Sequence, residues 1–231
     1  MSEVLKTSFH SLYLLADRLA YSFVTALPSV NFDYPILLRT YKSSSEVPVD
    51  CTVWEAARAT TAASTYFKPI DIGRGGGRTT TFIDAGLRVN NPLEVVLKEA
   101  QECYGPDRKV QCILSLGTGH PGVIGIDKRS FYPLELVNGL KKLATDCIQV
   151  HYRYADRFAG RDDFYFRFNL EHGAENISLD DWKEIGTLSD HVDAYMNEPG
   201  VNKRIDAVVE LLCKPRDAGL LPSLSSINSG Q

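Results

Sequence analysis

The stretch that decides the fold reads FIDAGLRVNNP and covers residues 82–92. It places Asp84 at a tight turn between a β-rich run, Thr79 to Ile83, and a helix that begins at Asn91-Pro92. An asparagine cap followed by proline is typical of a helix start. Carboxylates at a strand end beside a glycine are typical of acid–base groups in α/β enzymes. The stretch therefore predicts a strand–turn–helix unit that carries a functional carboxylate.

The segment just upstream, residues 52–69, is rich in alanine and reads TVWEAARATTAASTYFKP. Thr52 and Glu55, three residues apart, form a capping-box pattern and predict a helix that continues to Ala63. Small side chains allow a helix to approach a sheet closely. The segment therefore predicts a buried crossover helix before the Asp84 strand.

The rest of the chain alternates between patterns typical of strands and of helices. Strands are predicted at residues 21–26, 36–41, 79–83, 110–116 and 164–168. Helices are predicted at residues 7–20, 52–63, 91–104, 133–159 and 202–213, with a further helix capped by residues 178–181. Residues 70–78 are predicted to be a glycine-rich turn. This alternation predicts a three-layer α/β/α domain with a largely parallel sheet.

Composition and charge narrow the class of protein. The chain has 231 residues, 44% of them hydrophobic and 23% charged, which is typical of a soluble globular protein. A net charge of −4 gives no general attraction to nucleic acid or to anionic lipid. We therefore expect no nucleic-acid partner, and any peripheral membrane contact would depend on a local apolar surface.

The lack of a recognisable targeting signal and the spacing of the cysteines predict a cytoplasmic, reducing compartment. No apolar run approaches the roughly 20 residues of a spanning helix, because Asp17 and Arg18 interrupt the best candidate at residues 12–27. The same two charges argue against a secretory signal peptide. The chain has five cysteines, an odd number, and no Cys-x-x-Cys motif, a pattern that predicts free thiols.

Taken together, residues 52–69 and 82–92 closely resemble the C-terminal portion of the patatin-like phospholipase domain. That family pairs an aspartate, in an Asp-Gly-Gly or Asp-Gly-Ala turn, with a serine in Gly-x-Ser-x-Gly. The resemblance is dense from about Ser22 to Gly119 and looser to about Cys213. It implies a lipid acyl hydrolase that acts on phospholipid or acylglycerol esters without a cofactor, and it makes Asp84 the general base of a Ser-Asp dyad.

The chain departs from the family pattern at two places. The turn motif is Asp84, Ala85, Gly86, with alanine where the family has glycine. A left-handed backbone at that position would make alanine cost about 1 kcal/mol. No serine has glycine two positions before it, and Ser115, the nearest candidate, lies inside a predicted strand. The N-terminal part of the domain, with the nucleophile and the oxyanion loop, is therefore predicted to be missing.

Two glycine-rich segments imitate functional motifs. Residues 75–78 read GGGR and look like the family oxyanion loop, but their place before the Asp84 strand predicts a flexible turn. Residues 117–122 match G-x-G-x-x-G, but the pattern of the residues that follow is not helical, so dinucleotide binding is not predicted. The family has a Ser-Leu/Ile-Gly-Thr-Gly signature at this strand end, so the resemblance implies that these glycines form a turn near the active-site rim. The five histidines lack metal-ligand spacing, so no metal site is predicted.

These observations predict three segments and leave two functions open. Residues 1–20 form a helix foreign to the family, residues 21–213 the C-terminal part of a patatin-like domain, and residues 214–231 a disordered tail. In the first, the chain is part of an ester hydrolase and is inactive alone. It would bind phospholipid or acylglycerol as substrate only when the missing half is supplied. The alternative is a non-catalytic relic that binds lipid or a protein partner.

Overall fold

The computed structural model describes residues 21–43, 48–64, 66–74, 76–119, 147–174, 177, 180–214 and 217–229. The chain divides between Asn90 and Asn91 into two compact units, called here the N-terminal and the C-terminal unit. Each has its own apolar core. The predicted helix at residues 7–20 lies outside the described residues.

In its described residues, the N-terminal unit is an antiparallel sheet with one α-helix. Its strands are β1 (Phe23–Pro28), β2 (Ile36–Arg39), β3 (Ile70–Gly73) and β4 (Thr79–Asp84), in the order β2-β1-β4-β3. The helix α1 (Val53–Thr60) packs against β1, β3 and β4.

The capping box predicted for α1 is present. The backbone N–H of Glu55 donates to Thr52 Oγ1 at 3.2 Å, and the backbone N–H of Thr52 donates to Glu55 Oε2 at 2.7 Å. Ala56 and Ala59 face the sheet and are almost fully buried beside Phe82. The small side chains therefore do bring this helix close to the sheet, as predicted.

Alternation along the central strands gives the sheet two apolar faces. Ala26 and Phe82 belong to the main core that α1 covers, whereas their neighbours Leu27 and Ile83 join Ala85 in a smaller cluster. Successive residues of a strand point to opposite faces, which accounts for this division. The Asp84 turn lies at the end of β4, next to this smaller cluster.

Two features of the N-terminal unit differ from the sequence prediction. Residues 70–73, predicted to be a turn, form β3, because Ile72 is buried in the core while Asp71 points outward. The predicted largely parallel sheet is wrong for this unit, where every strand pair is antiparallel. The links between β1 and β2 and between β3 and β4 are too short for a parallel crossover, which needs a dozen or more residues.

The described residues of the C-terminal unit form five α-helices and a pair of parallel strands. The elements are α2 (Leu93–Tyr104), β5 (Ile113–Leu116), α3 (Ile148–Arg157), β6 (Tyr165–Phe168), α4 (Ile185–Met196), α5 (Pro199–Cys213) and α6 (Leu224–Ser229). Strands β5 and β6 pair in parallel with Ile113 opposite Tyr165, as expected for the predicted parallel strand. One face of the pair packs with α2, α3 and α6, and the other packs with α5. The described fold is thus mixed α/β, and the predicted three-layer arrangement is not established by it.

Most predicted helices of this unit are present with shifted ends. Helix α2 begins at Leu93, two residues later than predicted, although Asn91 Oδ1 still accepts from the Leu93 N–H at 3.3 Å. It ends at Gly105, whose φ of 84° requires glycine. Of the helix predicted at residues 133–159, only the part from residue 147 is described. No helix among the described residues is long and apolar enough to cross a membrane.

The C-terminal tail also differs from the prediction of disorder. Within residues 214–231, a short 3-10 turn at Ala218–Leu220 precedes α6, and Leu224 and Ile227 are each only 2% exposed. The backbone N–H of Leu224 donates to the Arg108 carbonyl at 2.9 Å, and Asn228 donates to the Leu97 carbonyl at 3.3 Å. The tail contains only a few apolar residues, but α6 places two of them in the core.

Truncating one of these side chains should destabilise the C-terminal unit. We expect Leu224→Ala to lower the free energy of unfolding by about 2–5 kcal/mol, since it removes a buried side chain and leaves a cavity. Leu220→Ala is the matched control, because Leu220 lies in the same tail but is 83% exposed. Urea unfolding followed by circular dichroism measures both changes. Equal stability of the two variants would show that α6 does not contribute to the core.

Candidate active site at the Asp84 turn

The backbone of Asp84 is fixed from two sides. It is the last residue of β4 and pairs with Ala26 of β1. Its N–H donates to the carbonyl of Ala62, in the segment after α1, at 3.0 Å. The sheet and the residues that follow the alanine-rich helix therefore hold the same carboxylate in place. The two sequence segments that predicted the site meet at this residue.

The side chain of Asp84 closes the turn. Its Oδ1 atom accepts from the N–H of Gly86 at 3.0 Å, so the carboxylate caps a 3-10 turn at Ala85–Leu87. The carboxyl group is half-buried, and this burial raises its pKa above the usual 3.8, against hydrogen bonds from Gly86 and Ala85 that lower it. A raised pKa makes an aspartate a better proton acceptor near neutral pH.

Ala85 fits its position without strain. It begins the 3-10 turn, a right-handed conformation that any L-residue adopts, and it is 1% exposed. Its methyl group belongs to the small cluster with Leu27 and Ile83. The cost expected for alanine at a left-handed position does not arise, because the position is not left-handed.

Glycine is favoured at position 86 because this residue lies close to the Asp84 carboxylate, and not because of its backbone conformation. A Cβ atom at this position would lie 3.1 Å from Asp84 Oδ2 and 3.6 Å from Asp84 Cγ. Any side chain there would press on the carboxylate that the turn positions. Sequence reasoning identified Gly86 only as part of the motif, and its contact with the carboxylate is visible only in the structure.

The structure also places the two glycine-rich segments. Between β3 and β4 the N–H of Arg74 donates to the Arg78 carbonyl at 2.7 Å, and Gly76 and Gly77 lie at positive φ. The described residues here link two antiparallel strands as a turn and do not precede a helix. Residues 117–119 follow β5 without helical structure, and the N–H of Gly119 donates to Asn169 Oδ1 at 3.1 Å.

Ser115 does not have the geometry of an activated nucleophile. It lies within β5, where its Oγ accepts from Arg167 Nη1 at 2.9 Å. A nucleophile elbow requires a sharp strand-to-helix turn, and Ser115 is followed by another strand residue. Among the described residues, no group of three or more histidine, cysteine, aspartate or glutamate side chains is arranged to hold a metal ion. The five cysteines are free, and burial raises the pKa of Cys51 to about 11.

The raised pKa of Asp84 predicts how stability depends on pH. The folded chain binds this proton more tightly than the unfolded chain, so Asp84 favours folding more as pH falls through its folded-state pKa towards 3.8. At pH 7 the ionised, half-buried carboxylate is unfavourable. We therefore expect Asp84→Asn to stabilise the chain at pH 7 and this advantage to shrink as pH is lowered. Urea unfolding at several pH values between 7 and 4 measures the difference, and an advantage that grows on acidification would contradict it.

The sequence matches no family model and no solved structure, but it is similar to several curated proteins. Calcium-independent phospholipase A2-gamma of Mus musculus is 34% identical over 134 residues, which cover 57% of this chain and 16% of the relative. The 85/88 kDa calcium-independent phospholipase A2 of Mus musculus is 31% identical over 183 residues, covering 65% of this chain and 21% of the relative. Patatin-like phospholipase 1 of Plasmodium falciparum is 26% identical over 206 residues, covering 76% and 30%.

The fold and the turn define a mixed α/β protein with a half-buried carboxylate at the end of a strand. Two of these relatives are named as calcium-independent phospholipases A2 and the third as a patatin-like phospholipase, which supports the resemblance to a patatin-like domain. The chain is thus similar to part of these phospholipases, as the resemblance predicts, and it spans less than a third of the length of each relative.

Proposed function

We propose that this chain supplies the aspartate half of the active site of a lipid acyl hydrolase. In this proposal Asp84 is the general base, and a serine and an oxyanion loop come from a part of the domain that this sequence does not contain. The observation that carries the proposal is the Asp84 turn itself. There, a carboxylate of raised pKa is fixed at a strand end, and Gly86 leaves room for it.

The chemistry follows from the properties of the carboxylate. As the serine Oγ attacks the ester carbonyl carbon, Asp84 accepts the hydroxyl proton. Asp84 then gives this proton to the departing alcohol, which leaves an acyl-enzyme. Water then attacks the acyl-enzyme, Asp84 accepts a proton from it, and the fatty acid is released as the serine regains its proton. Since the relatives are named as phospholipases, we propose phospholipid or acylglycerol esters as the substrates. For the complete domain we propose the three-layer α/β/α arrangement.

Alone, the chain should not hydrolyse esters. No serine has glycine two positions before it, and Ser115 lies inside a strand with its Oγ accepting from Arg167. We expect purified protein to show no turnover of short acyl esters above buffer and no labelling by a fluorophosphonate probe. Intact-mass spectrometry after probe treatment measures this directly, with a known serine esterase as the positive control. Stoichiometric labelling of a single serine would disprove the proposal that the nucleophile is absent.

The alternative is a non-catalytic protein that binds a lipid or a protein partner. Joining a serine-bearing N-terminal half of a patatin-like domain to the chain distinguishes the two functions. Restored ester hydrolysis supports the hydrolase, whereas a folded but inactive fusion supports the binding protein. In both proposals a lipid contact is peripheral and depends on exposed apolar side chains. The reducing, cytoplasmic compartment stays a prediction from the sequence.

A further inference from the structure

Three large aromatic side chains of the N-terminal unit are exposed. Trp54 on α1 is 49% exposed, and Tyr66 and Phe67, in the segment that follows α1, are 40% and 57% exposed. Burial of such rings is among the largest favourable contributions to folding. A group of exposed rings therefore marks a surface that contacts something other than the core of its own unit.

Arg58 joins these rings into one surface. Its guanidinium carbon lies 5.8 Å from the centroid of the Phe67 ring, and its Nη2 atom donates to the Lys68 carbonyl at 2.7 Å. Trp54 lies four residues before Arg58 on α1, and residues at this spacing are neighbours on the surface of a helix. The helix and the segment after it therefore present their aromatic and basic side chains together.

A short stretch of hydrogen-bonded backbone connects this surface to the Asp84 turn. The N–H groups of Tyr66 and Phe67 donate to the Ala63 carbonyl at 3.1 and 2.9 Å. The preceding carbonyl, that of Ala62, accepts from the N–H of Asp84 at 3.0 Å. We call the exposed residues beside the turn the aromatic-basic surface, and they are Trp54, Arg58, Tyr66, Phe67 and Lys68.

The two cations of this surface have no acidic partner among the described residues. The Arg58 side chain donates to a neutral carbonyl, and the ammonium group of Lys68 forms no ion pair there. Glu55, the acidic residue of α1, is held in the capping box, where its Oε2 atom accepts from the N–H and the hydroxyl of Thr52 at 2.7 and 2.8 Å. An apolar partner would have to bury unpaired cations, which is unfavourable. The surface therefore fits an anionic partner.

The combination of residue types favours a lipid surface over a protein partner. Tryptophan, tyrosine and phenylalanine rings lie at the boundary between lipid head groups and acyl chains, and basic side chains lie beside them. Lysine, in contrast, is depleted in protein–protein interfaces. Each lysine or arginine near an anionic bilayer also strengthens binding electrostatically. Exposed rings beside unpaired cations are therefore typical of a surface that contacts anionic lipid.

We propose that the aromatic-basic surface binds an anionic phospholipid bilayer, with its three rings at the level of the head groups and its two cations against their negative charges. The inference rests on the proposed function, because such binding would bring phospholipid esters to the Asp84 turn. Since the whole chain carries a net charge of −4, the attraction to anionic lipid is local to this surface.

Flotation of the full chain with lipid vesicles in a density gradient tests the proposal. Vesicles of phosphatidylcholine alone are compared with vesicles in which about one third of the lipid is phosphatidylserine. We expect the chain to float with the anionic vesicles and to bind the neutral ones much more weakly. High salt should remove most of this difference, because it screens the charges. Self-associated protein sinks in the gradient, so it is not mistaken for vesicle-bound protein.

The two tryptophans of the chain identify the surface that makes the contact. In the Trp182→Phe variant only Trp54 emits, and its fluorescence should shift to shorter wavelength and become protected from acrylamide when anionic vesicles are added. In the Trp54→Phe variant only Trp182 emits, a residue of the C-terminal unit that is 71% exposed, and its fluorescence should change less. A shift of Trp182 as large as that of Trp54 would refute the assignment to the aromatic-basic surface.

Matched variants separate this surface from general attraction to lipid. Arg58→Gln and Lys68→Gln should each weaken binding to anionic vesicles about fivefold. Phe67→Ala should also weaken it, because a ring at the head-group level is lost. Arg108→Gln and Tyr104→Ala are the controls, because Arg108 also lies over an exposed ring, 5.5 Å from the Tyr104 centroid, but in the C-terminal unit. Both controls should bind as the wild type does.

Three further results would overturn the proposal. They are the absence of flotation with anionic vesicles, equal binding to neutral and anionic vesicles, and binding by Lys68→Gln that equals binding by Arg108→Gln. The comparison of vesicles uses wild-type protein and so does not depend on the folding of any variant. Vesicle binding needs no serine, so its failure is distinct from a failure of the proposed catalytic role. Binding without hydrolysis in the joined protein would reject that role and leave the lipid-binding surface in place.

Discussion

When the chain is joined to a serine-bearing N-terminal half of a patatin-like domain, Asp84→Asn should lower kcat for ester hydrolysis by about 10²–10⁴-fold. Asparagine keeps the shape of the side chain and can still accept from the Gly86 N–H, but it cannot take up the serine proton. The loss should therefore fall on kcat, with little change in KM, because the turn and the substrate contacts are preserved. Steady-state hydrolysis of a short acyl ester and of a phospholipid measures both constants.

Two matched controls make this experiment specific. Asp71→Asn removes another carboxylate of the same sheet, one that accepts from Thr81 Oγ1 on the neighbouring strand, and it should leave kcat unchanged. Gly86→Ala retains the aspartate at position 84 but should still lower kcat, because the new Cβ would lie 3.1 Å from the Asp84 carboxylate oxygen and press on it. Gly73→Ala, where nothing lies within 4 Å of a Cβ, should have no such effect. Activity that is indifferent to Asp84→Asn would show that the turn is only structural.

Local patterns in the sequence predicted those features that short-range interactions determine. The capping box of Thr52 and Glu55 and the turn at Asp84 are present as predicted. Hydrogen bonds between residues three or fewer positions apart form both, so their signals lie within a few letters of sequence. The position of Asp84 at a strand-end turn follows from the same kind of local information.

Features that depend on distant parts of the chain were predicted less well. Residues 70–73 contain glycine and aspartate and are too short to indicate a strand, and pairing with β4 is what makes them one. The tail was expected to be disordered from its composition, but Leu224 and Ile227 fill a core built by α2 and α3. Sheet direction failed because alternating strands and helices do not specify which strands pair.

Arg167 of the C-terminal unit shows a third kind of limit. It is a charged residue in the middle of the aromatic strand FYFRF at residues 164–168. On a strand flanked by apolar faces, such a charge requires a partner. Only the structure shows that its described side-chain partners are Ser115 and Cys147, both neutral.

A different surface of this unit should make the isolated chain associate with itself. Strand β5 pairs with β6 alone among the described residues, and it exposes 46% of Leu114 and 71% of Leu116 on the same face. An unpaired strand edge beside exposed leucines is a template for association, because a second molecule can pair with the edge and bury the side chains. We therefore expect the purified chain to elute as concentration-dependent oligomers or aggregates, and to lose its single cooperative unfolding transition as the protein concentration rises.

A single charge on that face should reverse this behaviour. Leu116→Lys places an ammonium group where association would bury it, so the variant should shift towards monomer. The substitution removes the roughly 1.5–3 kcal/mol that burying a leucine contributes. Burying the unpaired charge also opposes association. Leu220→Lys is the matched control, because Leu220 is 83% exposed but lies outside the sheet, and it should leave the oligomers unchanged. Size-exclusion chromatography with light scattering at several concentrations measures the masses, and urea unfolding measures cooperativity. A monodisperse wild-type monomer with one cooperative transition would refute the prediction. That result would favour the non-catalytic alternative, since the chain would then be stable without a missing half.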